Sequence, residues 1–425
     1  MTIDQLYQLY LQNPSVETDT RKLKKGDIFF ALSGPNFNGN QFALQALAAG
    51  AVYAIVDENV DDGNEKLIKV DDVLFTLQDL AKFHRQQCNI PVIAITGSNG
   101  KTTTKELVNA VLAAHFKTYT TQGNLNNHIG IPLTLLRIKK DAEIAVIEMG
   151  ANHQGEIAGY CKYVQPTHGI ITNCGKAHLE GFGGVEGVRK GKGELFDYLR
   201  RHDGLAFIFN DYDYLHEMAK GLRQITYGTQ NATITGHATS QDSFLKVTIT
   251  NPFEAEITTR LVGDYNLPNV LCAVAIGIHF KVPEHKIKQA IAAYYPDNSR
   301  SQMVIKETNH IILDAYNANP SSMLLAIENL AKIEADKVVL LGAMMELGSD
   351  SLKEHQNIID ALQQHNWQQV VLVGGDFAKL KHPFLFFENS QMAADWYGSQ
   401  HFNNTYQLIK GSRSMKMEKV LESLR

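Results

Sequence analysis

The sequence predicts an α/β chain of three domains, and three observations carry the prediction. At 425 residues the chain is too long for one hydrophobic core, since single cores stop growing at about 250–300 residues. From residue 87 to 296, short apolar, β-branched runs alternate with helical patterns, the rhythm of a parallel sheet with crossover helices. After Tyr295-Pro296-Asp297-Asn298, a hinge by composition, the same rhythm starts again. The expected units are a small α/β domain over 1–86, a central parallel sheet with an antiparallel flank over 87–296, and a Rossmann-like doubly wound domain over 297–425.

In the first unit Asp27 to Leu32 reads as a strand and Gly34 to Asn40 as a glycine/asparagine loop. Phe42 to Ala49 has a helical pattern, and Ala51 to Val56 is a second strand. Thr18, Asp19, Thr20 and Arg21 precede the first strand. An arginine beside hydroxyls can hold a pyrophosphate, which makes Thr20 and Arg21 substrate-binding candidates. A solvated turn has the same composition.

The central unit opens on Pro91-Val-Ile-Ala-Ile-Thr-Gly-Ser-Asn-Gly-Lys-Thr-Thr-Thr104. Val92 to Ile95 is the pattern of a buried parallel strand, and Gly97, Ser98, Asn99 and Gly100 form a tight loop. From Thr102 to Phe116 apolar residues recur at helical spacing (Leu107, Val108, Val111, Leu112). Strand, glycine loop and helix make a phosphate cradle, in which backbone N–H groups and the positive helix end face the anion. Lys101 is the point cation on the outer phosphates, and the Thr102 hydroxyl a ligand for their Mg²⁺. The loop is shorter than a standard P-loop: Ile95 stands where the first glycine would be. An ordinary strand-to-helix turn with a surface lysine is the plainer alternative.

Further parallel strands are expected at Ile144 to Ile147, Gly169 to Thr172 and Leu205 to Phe209. Short alternating strands at Ala232 to Thr235, Leu245 to Thr250 and Glu256 to Val262 predict the antiparallel flank. Helices follow at Leu267 to Phe280 and Glu284 to Ala293. The third unit has strand patterns at Ile311 to Asp314, Val338 to Gly342, Val370 to Gly374, Leu385 to Phe387 and Tyr406 to Lys410.

A net charge of -5 without a lysine/arginine block argues against a nucleic-acid partner. Four scattered cysteines suggest neither a disulfide framework nor a zinc site. No apolar stretch is long enough to span a bilayer, and residues 1–12 lack a signal peptide's apolar core, so a soluble cytoplasmic protein is expected.

Four further groups can carry chemistry. Glu148 ends a parallel strand beside the phosphate loop, where a carboxylate can reach magnesium or simply face a helix N-terminus. His178, in Cys174-Gly-Lys-Ala-His-Leu-Glu-Gly-Phe-Gly, follows another strand and reads either as a ligand or as a packed residue. Lys192, in Gly191-Lys-Gly-Glu-Leu-Phe, reads by itself as a surface helix lysine. Asn266 and Asn269 open a helix, as caps or as amides able to read an adenine edge.

Taken together, Thr96-Gly-Ser-Asn-Gly-Lys-Thr-Thr, Glu148-Met-Gly-Ala, Ala177-His-Leu-Glu-Gly-Phe-Gly, Lys192-Gly-Glu-Leu-Phe and the paired asparagines resemble the Mur ligases, in the same order. Asp314-Ala-Tyr-Asn-Ala-Asn-Pro, Leu341-Gly-Ala-Met-Met-Glu-Leu-Gly and Lys410-Gly-Ser-Arg narrow the resemblance. So do Gly123-Asn-Leu-Asn-Asn-His-Ile-Gly-Ile-Pro-Leu-Thr-Leu-Leu and Gly26-Asp-Ile-Phe-Phe-Ala-Leu-Ser-Gly. They resemble the members that add D-alanyl-D-alanine to UDP-N-acetylmuramoyl-tripeptide in peptidoglycan precursor synthesis.

The resemblance implies roles residue by residue. Gly97, Ser98, Asn99, Gly100, Lys101 and Thr103 hold the ATP phosphates. Thr102, Glu148, His178 and Lys192 serve two Mg²⁺ sites, Lys192 as a carbamate. Asn269, supported by Asn266, reads adenine. Arg300 reaches the phosphates from the third domain and Asp314 takes the ribose. Asn126 and Asn127 border the acceptor; Asn317, Asn319 and Arg413 take the incoming dipeptide. Lys101, His178, Lys192 and Arg300 form the catalytic set of an expected monomer.

Two positions depart from the family pattern. Tyr265 replaces a histidine before the adenine asparagines, and Asn38-Gly-Asn40 replaces Asp-Gly-His in the first domain. The implied reaction is ATP-driven amide formation through an acyl phosphate. A folylpolyglutamate synthase-like ligase shares the short loop and the lysine but lacks a separate first domain. A nucleotide-hydrolysing switch would carry the longer loop and an Asp-rich strand end.

Overall fold

Alternating β-branched runs and amphipathic helices produce three largely parallel sheets in the computed structural model, which describes residues 1–61, 63–239, 244–297 and 299–422. Asn298 of the expected hinge and the chain end at 423–425 lie outside the described residues.

The first domain holds four parallel strands in the order Val16–Glu17, Ile28–Phe30, Tyr53–Val56, Leu67–Lys69. Its glycine/asparagine loop contains a short hairpin, Ser33–Gly34 with Phe37–Asn38. The departure at Asn40 has a structural cause: its side chain is buried and fully engaged. Nδ2 donates to Asp57 Oδ1 at 2.7 Å, and Oδ1 accepts from Asp57 N at 3.1 Å.

Helix Val73–Gln87 joins this domain to the next. Val73, Leu77, Leu80, Ala81 and His84 fall on one buried face at helical spacing. Arg85 secures its end, donating to the carbonyls of Val164 at 3.0 Å, Gln165 at 3.2 Å and Cys88 at 2.6 Å.

The central sheet has nine strands. Val92–Thr96 lies between His168–Ile171 on one side and Ile144–Glu148 on the other. The chain goes first to one flank and later to the other, so the carboxyl end of Val92–Thr96 is a topological switch point, where open α/β sheets bind ligands. The sequence reading missed the parallel strands Thr118–Thr120 and Arg223–Gly228. Ile234–Ala238 pairs parallel to the latter and antiparallel to Phe244–Asn251, which in turn pairs with Ala255–Val262 as the expected flank.

The third sheet runs Gln302–Lys306, Asn309–Asp314, Thr405–Lys410, Asp336–Gly342, Gln369–Val373, Leu385–Phe387, parallel except for the first strand. Asp314 and Lys410 face each other at the carboxyl ends of adjacent strands. Its contacts with the central domain include a salt bridge from Lys176 to the buried Glu354, at 2.6 Å. Tyr265, the other departure, joins that seam through a 2.9 Å bond from its hydroxyl to Ser301 Oγ.

Candidate functional site

The phosphate loop is shaped by two glycines. Gly97 has φ +141°, and a Cβ there would sit 2.0 Å from Thr172 Oγ1; Gly100 has φ +79°, with Asn269 Oδ1 at 2.8 Å from the same point. Only glycine satisfies both the backbone and the space. The loop is held from the neighbouring strand end: Asn173 Oδ1 accepts from Asn99 N at 3.1 Å, and Thr172 Oγ1 donates to Asn99 O at 2.6 Å. Gly100 is the cap of helix Lys101–Ala113, whose N-terminus therefore opens into the loop.

Lys101 folds back on the loop, its Nζ 2.7 Å from Gly97 O and 3.3 Å from Ser98 O. Burial lowers its pKa to about 8; Glu148 opposes that shift and Arg300 reinforces it. An anion in the loop replaces two carbonyl contacts with a charged one. Glu148 is 1 % exposed. Its Oε1 accepts from Asn126 Nδ2 at 2.7 Å, while Oε2 has no hydrogen-bond partner among the described residues. A buried carboxylate oxygen left over in the cleft that Thr102 and the phosphate loop also line is what a hard cation takes.

Asn266 and Asn269 form a chain of amides. Asn269 Nδ2 donates to Asn266 Oδ1 at 2.8 Å, and Thr104 Oγ1 donates to Asn269 Oδ1 at 2.9 Å. Both asparagines are thereby oriented before any ligand arrives.

From the third domain, Arg300 stacks on Tyr316 at 3.6 Å from the ring centroid. Asp314 pairs with Lys410 and accepts from Ser301 N at 3.3 Å. With the phosphate loop, Glu148 and the asparagines, these residues and Asn317 and Asn319 line one cleft of about 1060 Å³. That volume suits a nucleotide with part of a second substrate.

Lys192 lies just behind the cleft, 1 % exposed, donating to Ala151 O at 3.0 Å over the Phe182 ring. Burial, then the charge of Lys101, brings its pKa to about 7. It is not the surface lysine that its sequence alone allows.

Several other expected site residues have partners within the protein. His178 has φ +51°, and its Nδ1 is paired with Glu346 of the third domain. In this arrangement it bridges the central and third domains and also lines the cleft. Asn319 caps helix Pro320–Ala331 and bonds to Asn99 while also lining the cleft. Arg413 pairs with Glu418 at 2.9 Å, and its guanidinium lies 6.0 Å from the ring centroid of Tyr316, which lines the cleft. Arg21 is 87 % exposed on the side chain and pairs with Asp19 in the first domain; neither it nor Thr20 is among the residues that line this cleft. Asn127 anchors the helix Gly130–Leu136 by accepting from Gly130 N at 2.9 Å, although it also lines the cleft.

The sequence reading passed over Asn173, Tyr316, Glu346 and Lys410. All but Asn173 lie inside stretches singled out as distinctive. Asn173 directly follows the expected strand Gly169 to Thr172, so its place at a carboxyl strand end was the available signal.

Models of protein families match all three domains. Residues 14–89 match the "Mur ligase family, catalytic domain", residues 95–277 the "Mur ligase middle domain", and residues 299–411 the "Mur ligase, glutamate ligase domain". The chain belongs to the Mur ligase family. Among its Mur ligase relatives, the UDP-N-acetylmuramoyl-tripeptide–D-alanyl-D-alanine ligase of Escherichia coli is 36% identical, over 96% of this chain and 93% of that protein. A crystal structure of MurF from Acinetobacter baumannii superposes with a TM-score of 0.87 at 30% identity, covering 98% of this chain and 97% of that one. MurF ligase from Thermotoga maritima in complex with ADP gives a TM-score of 0.87 at 25% identity, covering 97% of each chain. In this Mur ligase no helix among the described residues is long and apolar enough to cross a membrane.

Proposed function

We propose that this chain is the ATP-dependent, ADP-forming ligase that joins D-alanyl-D-alanine to UDP-N-acetylmuramoyl-tripeptide in peptidoglycan precursor synthesis, acting as a cytoplasmic monomer. The observation that carries the reading is the single cleft shared by the phosphate loop with Lys101 and by Arg300 of the third domain. One chain supplies both walls, so the chemistry needs no second copy.

The acceptor's terminal carboxylate attacks the γ-phosphorus of ATP, forming an acyl phosphate and releasing ADP. The dipeptide's amine then attacks the acyl carbon; the C–N bond forms as the C–O bond to phosphate breaks. Lys101 and Arg300 bring positive charge from opposite walls to the transferring group, where phosphoryl transfer depends on positioning and charge neutralisation. The oriented pair Asn266 and Asn269 holds the adenine end, and Asp314 the ribose. Asn126 and Asn127 border the acceptor, and Asn317 the dipeptide. Contact between the central and third domains over the cleft keeps water from the acyl phosphate.

Mg²⁺ fits the residues present: Glu148 offers an unpartnered carboxylate oxygen and Thr102 a hydroxyl. When bound, the ion neutralises phosphate charge. Lys192 fits carbamate formation because a buried amine with a pKa near 7 is substantially uncharged at neutral pH, and the neutral amine is what adds CO₂. The product anion gains from the nearby charge of Lys101.

Phosphate release measured with ATP and each combination of substrates tests the reading. Release should be near background until both UDP-N-acetylmuramoyl-tripeptide and D-alanyl-D-alanine are present. Equal release with ATP alone would make the chain a hydrolase instead. Parallel assays with lysine- and diaminopimelate-containing acceptors would identify the third peptide residue.

A further inference from the structure

The phosphate loop and the third domain are joined by a reciprocal amide pair. Asn319 Nδ2 donates to Asn99 Oδ1 at 2.7 Å, and Asn99 Nδ2 reaches Asn319 Oδ1 at 3.4 Å. Each partner is immobilised on its own side. The Asn99 backbone is pinned by Asn173 and Thr172. Asn319 is pinned by a capping box, in which its Oδ1 accepts from Ser322 N at 2.9 Å and Ser322 Oγ accepts from Asn319 N at 3.1 Å. Next to it, Ser321 Oγ accepts from Lys176 N at 3.1 Å, bringing the start of helix Pro320–Ala331 against the loop that supports Ser98.

The link continues to the catalytic arginine. Asn319 follows strand Asn309–Asp314 by five residues, and Asp314 Oδ1 accepts from Ser301 N, the residue after Arg300. A displacement of the helix start relative to the phosphate loop therefore also displaces Arg300 relative to Lys101.

We propose that Asn319 is a positioning residue whose pairing with Asn99 latches the third domain onto the phosphate loop and so sets Arg300 for phosphoryl transfer. The proposal rests on the ligase reading above. It replaces the expectation that Asn319 binds the dipeptide. A latch of this type couples loop to closure: Asn99 presents its amide to the third domain only while the loop holds the conformation seen around Gly97 and Gly100. Losing it should penalise the closed, reacting state and spare the initial binding of ATP to the central domain.

Two single variants and their combination test this in the full chain. Asn319→Ser retains a side-chain cap, since serine caps about as well as asparagine, but is too short to reach Asn99. Asn99→Ala removes the other half and leaves the cap untouched. Each should lower kcat by about tenfold, the upper range for one lost hydrogen bond, and in Asn319→Ser ATP affinity by equilibrium binding should stay within about threefold of wild type. The double variant should be no worse than either single one, because the pair acts as a unit.

Unchanged kcat in Asn319→Ser, or losses that multiply in the double variant, would overturn the latch. So would raised dipeptide KM with normal kcat in Asn319→Ser, which would return Asn319 to substrate binding. If Asn319→Ser melts early, Asn99→Ala carries the comparison alone. Wild-type protein inactive with both substrates would instead reject the ligase reading.

Discussion

Lys101 and Lys192 show how burial and neighbouring charge lower two lysines by different amounts. Both are desolvated, yet Lys101 keeps the nearby Glu148 carboxylate in its favour and stays mostly charged at neutral pH, with a pKa of about 8. Lys101→Ala should abolish ligation, because the cation acts on charge that moves during transfer. Thermal unfolding should not fall, since the variant no longer buries an ammonium. Near-normal product formation would remove Lys101 from the mechanism. Lys192 has Lys101 as an opposing charge and a pKa of about 7. Lys192→Ala should lose most activity and regain part of it with added formate or acetate, small carboxylates able to take the place of a carbamate. In wild-type protein fed ¹³C-bicarbonate, the carbamate signal should grow from about pH 6 to pH 8 as the amine loses its proton. Full activity of the variant without additive would refute the carbamate.

At the scale of elements, the helix Val73–Gln87 and the lower edge of the central sheet carry the next two predictions. Arg85 satisfies several backbone carbonyls from a site 7 % exposed, with no carboxylate bonded to it among the described residues. Arg85→Ala leaves those acceptors buried and should destabilise the fold by about 3 kcal/mol, read from denaturant unfolding. A loss under about 1 kcal/mol would mean that water replaces the guanidinium without cost.

His168 begins a central strand, with its Nε2 3.2 Å from His279 Nε2 and its ring against Phe207 and Phe280. Burial, then His279 and Arg223, hold its pKa at about 4. Between its ordinary value and about 4 the unfolded chain takes up a proton that the folded chain refuses. Stability from this group is therefore present above the ordinary histidine range and is lost as pH falls toward about 4. His279, also shifted down, adds to the same slope. His168→Phe should flatten the rise of melting temperature with pH across that window; an unchanged slope would count against the pair.

For the whole molecule, the third domain is tied to the central one by side-chain pairs around the cleft. Lys176 with Glu354, His178 with Glu346, Asn99 with Asn319 and Tyr265 with Ser301 all cross from the central domain to the third. A chain ending at residue 297 should bind ATP weakly and form no amide, since it loses Arg300, Asp314 and Asn317 together. Ligation by that truncated chain, folded by circular dichroism, would show that those residues were misassigned.

The sequence by itself determined what depends on local pattern. Strand and helix periods placed most of the central and third sheets, and the strand, glycine loop and helix that open the central domain, because that pattern is contiguous in the chain. It missed Thr118–Thr120 and Arg223–Gly228, strands with only partial burial and so without a continuous apolar run. Tertiary structure decided everything that depends on burial or on pairing over long separations. Lys192 reads as a solvated helix lysine until the Phe182 ring and Ala151 carbonyl close over it. Asn40 and Tyr265 read as departures until Asp57 and Ser301 supply their partners. The bond from Asn319 to Asn99, 220 residues away in sequence, is visible in neither motif alone. A side chain's role follows from the field and partners around it, and those exist only once distant segments have packed together.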